Sequence, residues 1–170
     1  LFLMHLISKM RLKKDGGSRI GIVLSGSPLF AGGAGSGESE IRRYLLENDL
    51  IESIILLPTD MFYNTSINTY IWILSNTKSS YRKGKVQLID ASSFFEKMRK
   101  NLGNKRKYLS DYNINEIIEI YSSFKSKDKE GVPVSKIIRN EEFGYRNIII
   151  ESPKTDKNGV VILGVKGKFK

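Results

Sequence analysis

The sequence predicts an α/β domain built on a mixed sheet with one reversed strand. Two apolar runs, RIGIVL at 19–24 and IESIILL at 51–57, flank a segment with apolar residues at helical spacing. Strand, helix, strand in that order implies two parallel strands joined by a right-handed crossover. A third apolar run, TYIWILS at 69–75, follows the short stretch 58–68, which has no helical pattern. So short a connection is at the limit for a parallel crossover, so the third strand is expected to run antiparallel to its neighbours.

The elements follow in order. Phe2, Leu3, Leu6, Ile7 and Met10 form one stripe, the end of an amphipathic helix stopped by KKDGG at 13–17. His5 lies near that stripe and reads as a half-buried helix residue. After the strand at 19–24 comes the Gly/Ser-rich loop 25–37. A helix over 39–48 presents Ile41, Leu45 and Leu46 on one face, with Glu38 and Glu40 near its N-terminus, where acidic groups suit the helix dipole. Past the strands at 51–57 and 69–75, VQLID at 86–90 is a fourth strand and 93–100 is expected to be helical. INEIIEIYSSF at 114–124 is a clear amphipathic helix, and 125–131 a charged loop. The runs 143–151 and 160–165 are strand-like.

Composition narrows the chemistry. The chain has 170 residues, no Cys and one His, which rules out a disulfide framework, a Cys-based zinc site and a poly-His metal site. No apolar run reaches the length of a membrane span. The opening LFLMHLISKM has no small-residue cleavage site and does not read as a signal peptide. It also lacks an initiating Met, so the chain is expected to be a piece of a longer protein.

The net charge of +10 is unevenly placed. Residues 78–108 hold ten Lys/Arg against Asp90 and Glu96, and residues 154–170 hold five Lys against Asp156. Such clustering suits a polyanion such as nucleic acid, but charge alone favours a solvated Lys-rich surface. Arg82, Lys83, Lys85, Lys105, Arg106 and Lys107 are the candidate contacts to a nucleic-acid backbone.

The glycine loop fails as a nucleotide cradle. Gly32 and Gly37 have phosphate-loop spacing, but Glu38 follows where Lys is needed, and no third glycine completes GxGxxG after Gly33 and Gly35. Asp60, Asp90 and Asp111 are scattered, and no complete catalytic constellation is present. Topology is more informative. Ligands of open α/β sheets sit beyond the carboxyl ends of parallel strands. Both SGSPLF and LPTDMFYN leave such ends, so they share one edge. Phe62 and Tyr63 there either plug the sheet as core, which pattern alone favours, or form a flat wall for a ligand.

Longer stretches carry a resemblance. GGSRIGIVLSGSPLFAGG, then GESEIRRYLLENDLIESIILLPTDMFYNTSINTYIWILSNTK, then KGKVQLIDAS, LSDYNINEIIEIYSSF and FGYRNIIIESP follow in order the pattern of one family. They resemble the modification subunit of type I restriction–modification systems, an N6-adenine DNA methyltransferase. The resemblance implies a partial Rossmann-like S-adenosylmethionine-dependent methyltransferase fold. Residues 1–124 would be the C-terminal half of the catalytic domain and 125–170 a connector. It implies S-adenosylmethionine as donor, DNA as substrate, specificity and restriction subunits as partners, and a cytoplasmic location. It places Phe62 and Tyr63 beside a flipped adenine. The family's Asn-Pro-Pro-Phe/Tyr motif is absent: Pro28, Pro58, Pro133 and Pro153 are never adjacent. Asn64 stands where the family has Gly and can still adopt its left-handed conformation; Asn68 replaces a Pro, and Ser25 stands where Pro is usual. The rival reading is a non-catalytic DNA-binding or assembly module derived from such an enzyme.

Overall fold

The computed structural model describes residues 2–145 and 154–162. Its elements are α1 (Phe2–Ser8), β1 (Arg19–Ser25), α2 (Ser27–Phe30), α3 (Gly37–Glu47), β2 (Ile51–Leu56), β3 (Thr69–Ser75), β4 (Lys85–Asp90), β5 (Glu96–Leu102), β6 (Lys105–Tyr108), α4 (Asp111–Ser123), β7 (Lys127–Lys129) and β8 (Val132–Arg139). Six strands make one mixed sheet in the order β1-β3-β2-β4-β8-β7, and β5 and β6 pair with each other.

β3 runs antiparallel to both β1 and β2. The first two strands are therefore parallel, as expected from their helical connection, but they are not neighbours: the reversed strand lies between them. β2 then pairs parallel with β4, Ile54 opposite Leu88. A strand flanked on both sides and covered on both faces is buried nearly throughout, and five of the six residues of β2 are buried. Its two buried polar residues are partnered, Glu52 by Arg82 and Ser53 by the carbonyl of Gln87.

Alternation along the strands feeds two cores. Ile54, Trp72, Leu74 and Val86 pack with Leu3 and Leu45, on the side of α1 and α3. Ile55, Ile89 and Val134 pack with Ile117 and Ile120, on the side of α4. Both longer helices start at a serine cap. Ser36 accepts the amide of Ser39, and Ser110 forms a reciprocal capping box with Asn113.

Three sequence expectations are corrected. Residues 93–100 are not helical. Phe94 turns into the core behind Ala91, and the chain leaves as strand β5. The Gly103-Asn104 pair, with Gly103 at φ +61, closes a hairpin that fixes Glu96–Leu102 as extended. The charged stretch 125–131 contains β7, which pairs with β8, and β8 joins the sheet antiparallel to β4. Pro133 hid that strand in the sequence. Phe143 lies in a 3-10 turn, Asn140–Phe143; the rest of the run 143–151 beyond Tyr145, and residues 163–165, lie outside the described residues.

Candidate nucleic-acid interface

The carboxyl ends of β1, β2 and β4 fall on one edge of the sheet, since all three run in one direction. The loop 58–68 leaves that edge. Its tip is a tight turn, Phe62 bridging to Thr65 with Tyr63 and Asn64 between them. Phe62 is 36% exposed and Tyr63 62% exposed. Rings this open do not plug the sheet as core, so the burial that pattern alone favoured is corrected. The left-handed residue of the loop is Asp60, at φ 59, and not Asn64.

The hairpin β5–β6 explains the loop's shape. Asp60 O accepts the amides of Arg106 at 2.9 Å and Lys107 at 3.2 Å, and Tyr63 O accepts the amide of Asn104 at 2.9 Å. Lys107 Nζ donates to Thr59 Oγ1 at 3.1 Å and lies 3.9 Å from Asp60 Oδ2 and 4.2 Å from the centre of the Phe95 ring. Lys105 Nζ sits 5.2 Å from the centre of the Tyr63 ring. Only glycine fits at 103. A Cβ there would meet Tyr63 O at 2.6 Å. The aromatic turn and the basic hairpin are thus one unit, which sequence reasoning missed; the Gly-Asn dipeptide was its signal.

The basic candidates separate in space. Lys105, Arg106 and Lys107 are at the aromatic edge, and Arg106 is exposed. Lys97, Arg99 and Lys100, all exposed on β5, join them; expecting a helix there had dispersed them. Lys83 and Lys85 lie at the amino end of β4, on the opposite edge. Arg82 is withdrawn as a DNA contact, because its side chain is 4% exposed. Its guanidinium pairs with buried Glu52 at 3.4 Å and stacks 4.5 Å from Tyr121 and 4.4 Å from Phe124. Burial, and then the Glu52 carboxylate, raises the Tyr121 hydroxyl above its usual range.

The glycine loop is closed upon itself. Arg42 donates to the carbonyls of Pro28, Ala31 and Gly32, and Ser36 Oγ is taken by the helix cap. Asp90 accepts the amide of Ser92. Among the described residues no group of His, Cys, Asp and Glu could hold a metal ion.

The sequence profile of the N-6 DNA Methylase family matches residues 1–154. The chain belongs to the N-6 DNA methylase family. Within that family it is 40% identical over 124 residues to the type I restriction enzyme MjaVII methylase subunit of Methanocaldococcus jannaschii, covering 73% of this chain and 20% of the relative. It is 38% identical over 125 residues to the MjaVIII methylase subunit of the same organism, covering 72% of this chain and 21% of that one. The crystal structure of a type I restriction–modification system methyltransferase subunit from Streptococcus thermophilus superposes with a TM-score of 0.67 at 34% identity, over 84% of this chain and 26% of that one. This N-6 DNA methylase chain therefore spans about a fifth of the length of the curated relatives it matches. Its mixed sheet is that of a type I methyltransferase subunit.

Proposed function

We propose that this chain is the C-terminal part of the catalytic domain of a type I modification subunit, residues 1–124, with 125–170 as connector. The whole subunit transfers a methyl group from S-adenosylmethionine to adenine N6 in DNA, in a cytoplasmic complex with specificity and restriction subunits. What supports this is similarity over 73% and 72% of the chain to methylase subunits of which the matched segment makes up 20% and 21%. On this reading the donor site and the Asn-Pro-Pro-Phe/Tyr motif belong to chain outside these residues: the motif is nowhere in the sequence, and the glycine loop completes neither nucleotide-binding pattern.

The chain's own contribution is a wall for the target base. An enzyme that works on an adenine inside a duplex must extrude it, and an extruded base is held by stacking on apolar or aromatic faces. The observation that carries the reading is the exposure of Tyr63 and Phe62 on the functional edge, beside a basic hairpin. Lys105 covers one face of the Tyr63 ring and leaves the other for a base. Arg106, with Lys97, Arg99 and Lys100, contacts the phosphate backbone; Lys83 and Lys85, on the far edge, stand outside this interface.

Two measurements test it. In the full-length subunit, Tyr63→Ala and Phe62→Ala lower methylation by roughly 1–3 kcal/mol of lost stacking, with melting temperature nearly unchanged. An equal loss of folding would return the rings to a structural role. Calorimetry on the 170-residue chain gives no binding of S-adenosylmethionine; binding there would place the donor site within it.

A further inference from the structure

We infer that Lys107 is a positioning residue, which holds the aromatic turn in place from the hairpin and does not bind DNA phosphate. The inference rests on the reading of Phe62 and Tyr63 as the base wall. By charge alone Lys107 belongs with Arg106 in a phosphate-binding run. The geometry divides them.

Alternation sends neighbouring residues of β6 to opposite faces of the hairpin. Lys105 and Lys107 share the face turned to the loop, and Arg106 takes the other. All the contacts of the Lys107 ammonium face inward, to Thr59 Oγ1, the Asp60 carboxylate and the Phe95 ring. Its side chain is 21% exposed and that of Asp60 23%. An ammonium carries a compact charge, and this one already has a hydroxyl at hydrogen-bond distance, with a carboxylate and an aromatic ring beside it.

What it holds is a strained backbone. Asp60 is in the left-handed region, which a residue with a Cβ takes at a cost of about 1–2 kcal/mol. Such a conformation persists where its surroundings over-determine it. Here its carbonyl takes two hairpin amides, and its carboxylate accepts from the Thr59 hydroxyl at 3.2 Å and pairs at 3.9 Å with the Lys107 ammonium, which itself donates to that hydroxyl oxygen. Three residues on, Tyr63 O takes the Asn104 amide and lies against Gly103, where no side chain fits. Asp60 therefore sets the direction in which the chain enters the turn, and Lys107 sets Asp60. A ring displaced by about 1 Å at a reacting centre lowers rate by up to about a hundredfold without touching substrate affinity in proportion.

The test uses the full-length subunit in its complex, with a duplex carrying 2-aminopurine at the methylated position. Lys107→Met keeps the apolar stem and removes the charge; Lys107→Arg restores it. Arg106→Gln is the phosphate-contact comparison. Lys107→Met is expected to lower kcat by about tenfold or more, with KM within about twofold, and to reduce the fluorescence rise of the extruded base. The salt dependence of DNA affinity keeps its slope, and Lys107→Arg recovers most of the rate. Arg106→Gln reduces that slope by about 1. Should Lys107→Met lose a comparable unit of slope with kcat intact, Lys107 binds phosphate and the inference fails. Gly103→Ala probes the same junction from the steric side, and is expected to lower kcat and the fluorescence rise without changing the slope. A normal rate and rise in that variant would overturn the inference as well. The underlying reading fails separately. If Tyr63→Ala leaves the fluorescence rise intact, the ring does not hold the base, whatever the slope for Lys107.

Discussion

Asp49 and Asp60 both adopt positive φ, at 53 and 59, and both bend the chain where a β-branched residue would be strained. Asp49 turns α3 into β2. Its carboxylate accepts from Lys78 Nζ at 2.6 Å, from the amide of Gly84 at 3.0 Å and from Asn140 at 2.9 Å. Lys78 is buried, and its remaining donors go to the carbonyls of Ile51 and Lys85. Burial alone would raise the Asp49 pKa, but the hydrogen bonds and the Lys78 charge outweigh it and hold the carboxyl below its ordinary 3.8. A depressed carboxylate stabilises the fold above its unfolded pKa, and that stabilisation is lost as pH falls through the folded value. Asp49→Asn is therefore expected to cost roughly 1–3 kcal/mol at pH 7. Urea unfolding at pH 7 and near pH 3 should show the gap to the native chain closing at the lower pH. A gap that stays constant would mean that the carboxylate charge is not what matters. Phe62 and Tyr63 belong to this scale too. Their position was legible, and their exposure was not, because an aromatic residue in sequence looks alike whether buried or presented.

At the scale of elements, amphipathic period and caps were legible and hairpins were not. Helix α4 shows the legible kind. Ile117 and Ile120 face Phe94, Ile89 and Val134, and the capping box at Ser110 starts the helix. Ile120→Ala is expected to destabilise by about 2–5 kcal/mol through the cavity it leaves, and Ser110→Ala by about 1 kcal/mol. Thermal unfolding that ranked the two the other way would mean α4 is held by its start and not by its face. The β5–β6 hairpin shows the other kind. Phe94, Phe95, Met98 and Leu102 fall at spacings that suit a helix, and the turn at Gly103-Asn104 overrides them. β8 was hidden for a similar reason. Pro133 reads as a breaker, yet it sits where an edge ribbon of only three residues, β7, meets it.

For the whole molecule, the sheet ends at β1. Among the described residues, β1 pairs only with β3, so its outer edge presents unpaired amides and carbonyls. An unpaired edge of seven residues is a template for another strand. The 170-residue chain alone is expected to self-associate with rising concentration in sedimentation velocity, and co-expression with the rest of the subunit should suppress this. A monomer at all concentrations would mean that the edge is already covered. On the same scale, no helix among the described residues is long and apolar enough to cross a membrane. The basic surface divides between two edges of one sheet, so charge counted along the chain overstates the patch at either edge.

The sequence by itself determined the direction of the first three strands. The short stretch 58–68 leaves no room for a parallel crossover and so calls for a reversal, and the helical connection from β1 to β2 allows a parallel return. Connector length does not decide every pair, since β8 follows helix α4 and still runs antiparallel to β4. It also determined the family, because the motifs are long and ordered. Only the tertiary structure decided what the charges and rings do. Arg82 is spent on Glu52 and two aromatic rings, Lys107 on Asp60, and Lys105 on Tyr63, while Arg106 between them is exposed. A lysine's partner is set by what packs against it from elsewhere in the chain, and adjacent residues of a strand face opposite ways.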